Sequence, residues 1–481
     1  MLRSDAPESE APMSTPNTDR FQARVHAERI LLMLPANVIM AARVTGTLNA
    51  GAVRIAVERL RARHALLAVR VQFDADGGAR YVADGVPAVP LREVTAEPGS
   101  TAPRWLQEAI RESRTAFPLE RGPLVRFVIV RGAEHTHLLV TGHHAICDGR
   151  SLTFLLRDVL QLVDRPDAEV EPLPPPTPIT AATVDQPPRS NWLKRWVMRQ
   201  LERRWNRRGV SFDAGDREQL HRAFWKRNTA PRALAWALDR VQTSALADRC
   251  RAEGVTVNSA LWTALLAAQH EVQGDAEPFR RQVGMAVSTR ERLQPPVGEA
   301  LGFYASSLSL APGYDPGLPF WDAARAVHRR IKRALARTDV FRMLAAGELP
   351  PTLLDALYPA KYGLLQDRMA ARMLARMGWD RVSYGYSLTN VGRSDIPTRY
   401  GSHELEAVYG PFFYSDVNEK VVGVTTAAGS LTFTLTCDEA VVGRGVPERL
   451  REECEAQLQR ALAPAADGAP AGALSASRTR A

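Results

Sequence analysis

Nine consecutive residues constrain this 481-residue chain more than any others: Thr141 to Gly149 reads Thr-Gly-His-His-Ala-Ile-Cys-Asp-Gly. The apolar run His137 to Val140 leads into it and reads as a buried strand that delivers its last residues to a cleft. Beyond it, Leu152, Leu155, Leu156, Val159, Leu160 and Val163 recur at helical spacing, with Ser151 placed to cap the first turn. The stretch is therefore expected to be a strand, a tight glycine turn and a helix.

Neighbouring side chains on an extended segment point to opposite faces, so only one of His143 and His144 can face the chemistry. Imidazole titrates near pH 6.5 unperturbed, so its neutral form can take a proton from a hydroxyl or amine at cellular pH. Asp148 follows the strand, where a turn at Gly149 can fold it beneath the imidazoles or into a salt bridge, a scaffolding role. Two other readings compete. The histidines can be buried and hydrogen-bonded, or His135, His137, His143, His144 and Asp148 can form a metal site. The seven-residue offset between His137 and His144 is odd, so strand alternation splits that second set.

The length calls for two domains with a cleft between them. At 45% hydrophobic and 24% charged residues, with no apolar run long enough to span a bilayer, the composition is that of a soluble globular protein. Residues 1–20 are rich in Ser, Pro, Asp and Glu, which fits a disordered tail and a cytoplasmic chain. Cys147, Cys250, Cys437 and Cys454 lack paired spacing, arguing against disulfides and zinc. The formal charge of +9 favours an acidic partner: nucleic acid, anionic lipid or an acidic carrier protein.

Along the chain, Val38 to Gly46 reads as a strand, and Asn49 opens a helix with Val53, Ala56, Val57 and Leu60 on one face. Phe127 to Val130 and His137 to Val140 read as an antiparallel pair. Glu171 to Pro188 is proline-rich, so it is expected to be an extended linker without a packed core. Asn191 to Arg208 carries seven Lys or Arg, among them Arg195, Arg199 and Arg203, against Glu202 alone. Leu193, Val197, Leu201 and Trp205 recur every fourth residue there, as on a helix that lies on an anionic membrane, grips an acidic carrier or binds nucleic acid. No nucleic-acid-binding signature accompanies it, so nucleic acid is not expected. Further on come helices near 243–251 and 256–269, a strand at 282–287, a helical region 321–377, a strand at 384–393, a hairpin (421–426 with 430–437) and a last helix from 447 to 462. The boundaries expected are 1–20 tail, 21–170 first domain, 171–215 linker and basic helix, 216–462 second domain, and 463–481 tail.

His143-His144-Ala145-Ile146-Cys147-Asp148-Gly149 resembles the HHxxxDG pattern of the chloramphenicol acetyltransferase-like superfamily. That superfamily includes the condensation domains of nonribosomal peptide synthetases, wax ester synthases and the free-standing acyltransferases of mycobacterial polyketide lipids. Softer resemblances follow in order: Arg63-His64-Ala65-Leu66-Leu67, then Phe117-Pro118-Leu119 through Gly122-Pro123-Leu124, with Pro118 in place of the usual aspartate. Gly302-Phe303-Tyr304 and the Thr389-Asn390-Val391-Gly392-Arg393 ending come later, the latter closer to the free-standing acyltransferases than to peptide synthetase domains.

The resemblance implies an α/β fold of two chloramphenicol acetyltransferase-like domains in a V-shaped pseudo-dimer, with a central active-site tunnel. It implies His144 as general base, Asp148 as a structural carboxylate and Arg290 as its partner, although Arg292 is near enough to be confused with it. Asn390 is a candidate to contact substrate or a developing oxyanion, with a purely local backbone role slightly favoured. The expected reaction is acyl transfer from a thioester to a hydroxyl, giving an ester. The donor is an acyl or peptidyl carrier protein or coenzyme A, either of which carries phosphopantetheine. No metal and no bound cofactor are expected. An amide-forming enzyme with an amine acceptor, or a non-catalytic module that docks carrier proteins, are the alternatives.

Overall fold

The computed structural model describes residues 21–74, 77–97, 103–185, 187, 192–274, 282–311, 313–336, 341, 344 and 347–463. The two expected tails, apart from Ala463, lie outside the described residues.

The first half contains strands β1 (Gln22–Arg24), β2 (Asn37–Thr45), β3 (Arg70–Phe73), β4 (Ala79–Val82), β5 (Leu91–Thr95), β6 (Val125–Arg131) and β7 (His135–His143). Its helices are α1 (Ala50–Arg63), α2 (Arg104–Arg114) and α3 (Gly149–Asp164). Then come α4 (Trp192–Asn206), α5 (Ala214–Arg227), β8 (Pro231–Leu238), α6 (Arg240–Ala252), α7 (Val257–Gln273), β9 (Val283–Ser288), β10 (Ala305–Leu310) and α8 (Phe320–Leu335). Strands β11 (Tyr384–Arg393), β12 (Arg399–Tyr400), β13 (His403–Phe412), β14 (Asn418–Ala427) and β15 (Ser430–Asp438) complete the sheets, and the helix Val446–Leu462 ends the described chain. The helical region expected over 321–377 is broken into α8 and the helices Pro351–Lys361 and Arg368–Met377.

Two six-stranded mixed sheets form the frame, ordered β12-β13-β2-β7-β6-β5 and β10-β9-β11-β14-β15-β8, beside a small β1-β4-β3 sheet. In the first sheet the expected antiparallel pair is β6 with β7, and β7 also pairs with β2 so that Asn37 lies opposite His143. Period-2 alternation sorts β7: Leu138 and Val140 enter the core under α1 and α3, while Leu139 joins Trp105 and Ala109 of α2 on the other face. His137 shares that second face and stacks on Trp105 at 4.8 Å.

A boundary at residue 215 divides the chain but not the sheets. β12 and β13, from the second half, complete the edge of the first sheet beside β2. A row of buried threonines seams the two sheets there. Thr432, Thr434 and Thr436 of β15 donate to the carbonyls of Val408 (2.6 Å), Pro411 (3.0 Å) and Phe413 (2.6 Å), and Thr425 of β14 donates to that of Gly410 (2.8 Å). Alternate residues of β15, Leu431, Phe433 and Leu435, fill the second core instead. Gly423 has no side chain because a Cβ there would sit 2.3 Å from the Pro411 carbonyl.

The described residues of the proline-rich stretch, 171–185, form no helix or named strand and turn at 181–183, but the stretch is not without packing. Ile179 and Val184 are buried with Leu293, Val297, Tyr304 and Phe341, and Val184 bridges to Leu293. Proline restricts the backbone of this strap, and its two aliphatic residues fasten that strap to the second half.

Candidate active site

The motif lies where β7 gives way to α3. His143 is the last residue of β7, and the His143 and His144 amides donate to the carbonyls of Leu124 (2.9 Å) and Ala36 (2.7 Å). The imidazoles consequently diverge. His143 is buried: its Nδ1 accepts from the Ala145 amide (3.3 Å) and its ring meets Phe117 edge-on. Burial, with the charges of His144 and Arg126 nearby, pushes it down to about 3, so it stays neutral. It borders a cavity of about 490 Å³ walled by Leu32, Leu34, Phe117, Leu119 and Leu220.

His144 is the partly exposed member of the pair. Its Nδ1 lies 2.7 Å from the Cys147 carbonyl. A carbonyl can only accept, so Nδ1 carries the proton and the neutral ring keeps its lone pair on Nε2. Phe303 and Phe413 meet the ring edge-on at 5.1 and 5.4 Å, so the second half of the chain closes over a histidine carried by the first. Desolvation by this surround holds its pKa below the ordinary value, although the Cys147 carbonyl and the Asp148 charge oppose the shift.

Asp148, not Ser151, caps α3: its Oδ1 accepts from the Ser151 amide at 2.7 Å. Gly149 is correspondingly the first residue of the helix rather than a turn, and its lack of a side chain has a packing cause. A Cβ there would approach Val391 Cγ2 to 2.9 Å. Ser151 has a different task, donating from its hydroxyl to Asp148 (2.8 Å) or the Gly302 carbonyl (2.8 Å) and accepting from Arg290.

Arg290 follows β9 and reaches Asp148 Oδ1 at 3.2 Å, while its other amino group donates to the carbonyls of Gly298 (2.9 Å) and Ala300 (3.2 Å). The Tyr304 amide donates to Asp148 Oδ2 at 3.2 Å. Burial alone would raise the carboxyl, but the Arg290 charge and the Ser151 hydrogen bonds outweigh it and hold Asp148 below its usual value. Arg292 pairs elsewhere, with Asp185 on the strap at 3.1 Å.

Asn390 does not join this group. Its Oδ1 accepts from the Gly392 amide (2.9 Å) at a bulge in β11 and its Nδ2 donates to Asn258 (3.2 Å), so its described bonds are those of a backbone-supporting residue. It also lines a cavity of about 690 Å³ with Arg240, Arg251 and Arg393. Arg195, Arg199 and Arg203 are exposed on α4. His135 sits 3.0 Å from Glu406, and His137 is on Trp105, so these histidines and the motif pair are parcelled out to separate contacts.

Phe413, the Ser151 hydroxyl and Glu28 were not expected from sequence. Glu28 is buried, takes a hydrogen bond from the His26 amide (3.1 Å), and is pushed up to about 7 chiefly by burial. It borders a cavity of about 80 Å³ with Tyr81, Ala145 and Phe303. The Tyr81 hydroxyl lies 2.9 Å from the Ala145 carbonyl, which ties this group to the motif. A lone glutamate before an unassigned turn offers no pattern by which to find it.

Residues 36–178 match the Condensation domain family, and residues 227–354 match the C-terminus of phthiocerol/phthiodiolone dimycocerosyl transferase. Phosphinothricin tripeptide synthetase of Streptomyces viridochromogenes is 28% identical over 326 residues, 63% of this chain. The chain spans only 28% of that relative's length. Among solved structures, polyketide synthase associated protein 5 from Mycobacterium tuberculosis superposes with a TM-score of 0.56 at 14% identity, covering 91% of this chain and all of that one (100%). Trichothecene 15-O-acetyltransferase from Fusarium sporotrichioides gives 0.60 at 10% identity, over 95% of this chain and 100% of that one. The tandem matches on the two halves are to condensation domains and a related acyltransferase, and the fold that those halves build is the condensation-type pseudo-dimer.

Proposed function

We propose that this chain transfers an acyl group from a phosphopantetheine thioester to a hydroxyl, forming an ester, with His144 as general base. The observation that carries the reading is the fixed tautomer of His144: Nδ1–H is committed to the Cys147 carbonyl, so Nε2 is free to accept a proton. The acceptor hydroxyl gives its proton to Nε2 as its oxygen attacks the thioester carbonyl. The tetrahedral oxyanion then collapses, the C–S bond breaks, and the imidazolium returns the proton to the departing thiolate. Ester and free thiol are the products, and the histidine ends neutral.

No covalent acyl-enzyme enters this scheme. Cys147 is buried, its thiol donates to the His143 carbonyl (3.4 Å), and burial raises it far above the range in which it would ionise. The apolar cavity beside His143 suits an acyl chain or an apolar acceptor. The donor is a carrier protein or coenzyme A. The likeness to a peptide synthetase and to condensation domains favours the carrier. The Thr389-Asn390-Val391-Gly392 ending favours an ester over an amide.

The test presents one acyl group on a carrier protein and on coenzyme A to mixed alcohols and amines, with products read by mass spectrometry. Ester from either donor, lost in His144→Ala, supports the proposal. Amide alone would move the reading to a peptide-forming condensation enzyme. Carrier binding without transfer from either donor would leave a docking module.

A further inference from the structure

Four large apolar side chains stand in solvent at the start of α4: Trp192 (71% exposed), Leu193 (49%), Trp196 (50%) and Val197 (42%). At about 100° per residue they share one side of the helix. Met198, Leu201 and Trp205 lie roughly opposite and pack down on the protein. The regular four-residue spacing of Leu193, Val197, Leu201 and Trp205 conceals this, because each step of four drifts about 40° around the helix. The stripe therefore begins exposed and ends buried.

The exposed end is held out by the buried one. The Trp205 indole is buried with Leu353, Ala356 and Ala370 and donates to Thr352 Oγ1 at 2.8 Å, and Arg208 pairs with Asp367. Arg195, Arg199 and Arg203 are exposed along the flank of the apolar patch. Charge alone suits these arginines to an acidic carrier, which would satisfy the guanidinium groups. Acidic charge alone leaves two tryptophans, a leucine and a valine beside them uncovered. An anionic bilayer surface takes both sets at once, with indole rings at the headgroup level and guanidinium groups on lipid phosphates.

We infer that the first two turns of α4 form a peripheral anchor that seats this protein on an anionic lipid surface. No described helix is long and apolar enough to cross a membrane, so the contact is interfacial. The inference is independent of the proposed reaction, since none of these side chains touches the motif.

The test is flotation of the full chain with vesicles of phosphatidylcholine alone and of phosphatidylcholine with about one-third phosphatidylglycerol. The wild type is expected to float with the anionic vesicles only. Trp192→Ser/Trp196→Ser is expected to cut the bound fraction tenfold or more at limiting lipid. Arg195→Gln/Arg199→Gln/Arg203→Gln is expected to weaken binding roughly 100-fold, at about one lipid-facing charge per arginine. Both variants should keep the wild-type melting temperature and the wild-type rate on water-soluble substrates, because the substituted side chains are exposed. Failure of the wild type to float, or undiminished flotation of the tryptophan variant, overturns the inference. So does capture of an acyl carrier protein through these residues without vesicle binding.

Discussion

Arg290 and Asp148, from opposite halves of the chain, meet at 3.2 Å with both side chains almost wholly buried. The pair does more than neutralise charge. Arg290 ties the Gly298 and Ala300 carbonyls of its own loop to the carboxylate that caps α3, and α3 begins at Gly149, the last residue of the motif. Removing one partner of such a buried pair leaves the other uncompensated, at a typical cost of about 3–5 kcal/mol. Arg290→Ala is therefore expected to lower the unfolding free energy by that amount, read as a lower denaturant midpoint. Arg290→Lys should recover only part of it, because an ammonium cannot span the carboxylate and both carbonyls. An Arg290→Ala protein with an unchanged midpoint would show that the pair does not join the halves.

His144→Ala should leave the fold intact and lower turnover on the order of 10²- to 10⁴-fold, the usual contribution of a positioned general base. The pH dependence is a second readout. Desolvation holds His144 below its ordinary 6.5, so the base remains neutral, and the rate flat, to below that pH. The acid limb of kcat/KM should have its midpoint under pH 6.5. Phe303→Ala, by admitting water to the edge of the imidazole, should move that limb toward 6.5. A limb that stays in place would exclude Phe303 from the desolvation.

Much of this site can be read from sequence because its signals are local. Alternation along β7 and the helical spacing of α3 place the motif, and the residue types at His144, Asp148 and Arg290 limit what each can do. What sequence does not carry is the neighbourhood supplied from far along the chain. Phe413 reaches His144 because it directly follows β13, which crosses to the first sheet, and Thr432, Thr434 and Thr436 hold the Val408, Pro411 and Phe413 carbonyls there. Alternating threonine in a strand reads as a solvated face, and only the second sheet makes it an interior seam. The cap was misplaced by three residues for a similar reason: aspartate and serine are both good caps, and only Gly302 and Arg290 decide which hydroxyl or carboxylate is needed elsewhere. α4 shows the same limit, since spacing reveals an amphipathic helix but not which end of its stripe is covered.

Acid should destabilise this protein from about pH 6.5 downward. His137 and His143 are each lowered to about 3 in the fold, mainly by burial, so between pH 3 and 6.5 the unfolded chain binds more protons at both positions. Their contribution is fully present above pH 6.5 and is lost as pH falls toward 3. Glu28 acts in the opposite sense: raised to about 7, it binds a proton in the fold that the unfolded chain releases above about 4.5. Between 4.5 and 6.5 the histidines outweigh the one glutamate, since His26, His144 and His221 are lowered as well, so stability rises with pH over that interval. Glu28→Gln removes the opposing group, so the slope over that interval should steepen by about one proton, or roughly 1.4 kcal/mol per pH unit. Chemical denaturation at a series of pH values measures both slopes, and an unchanged slope in the variant would show that Glu28 is ionised in the fold.

Gly142 tests whether the motif's shape is set by packing at the end of β7. A Cβ on residue 142 would lie 2.4 Å from Cys147 Sγ, 3.3 Å from Leu152 Cδ2 and 3.6 Å from Cys147 Cβ. The first contact is a clash and the last is ordinary. Gly142→Ala should therefore cost about 1–3 kcal/mol, the usual penalty for overpacking a core, and should displace the loop that carries His144, lowering turnover as well. Cys147→Ala removes the sulfur and leaves the backbone carbonyl that holds His144 Nδ1, so alone it should keep most activity, as a packing thiol and not a nucleophile requires. Combining the two substitutions puts the new methyl group where the sulfur was. The double variant should regain stability and turnover relative to Gly142→Ala, with a coupling energy of about 1 kcal/mol or more between the sites. Strictly additive losses would mean that Leu152, on α3, is the wall Gly142 must clear, and that Cys147 is free to yield.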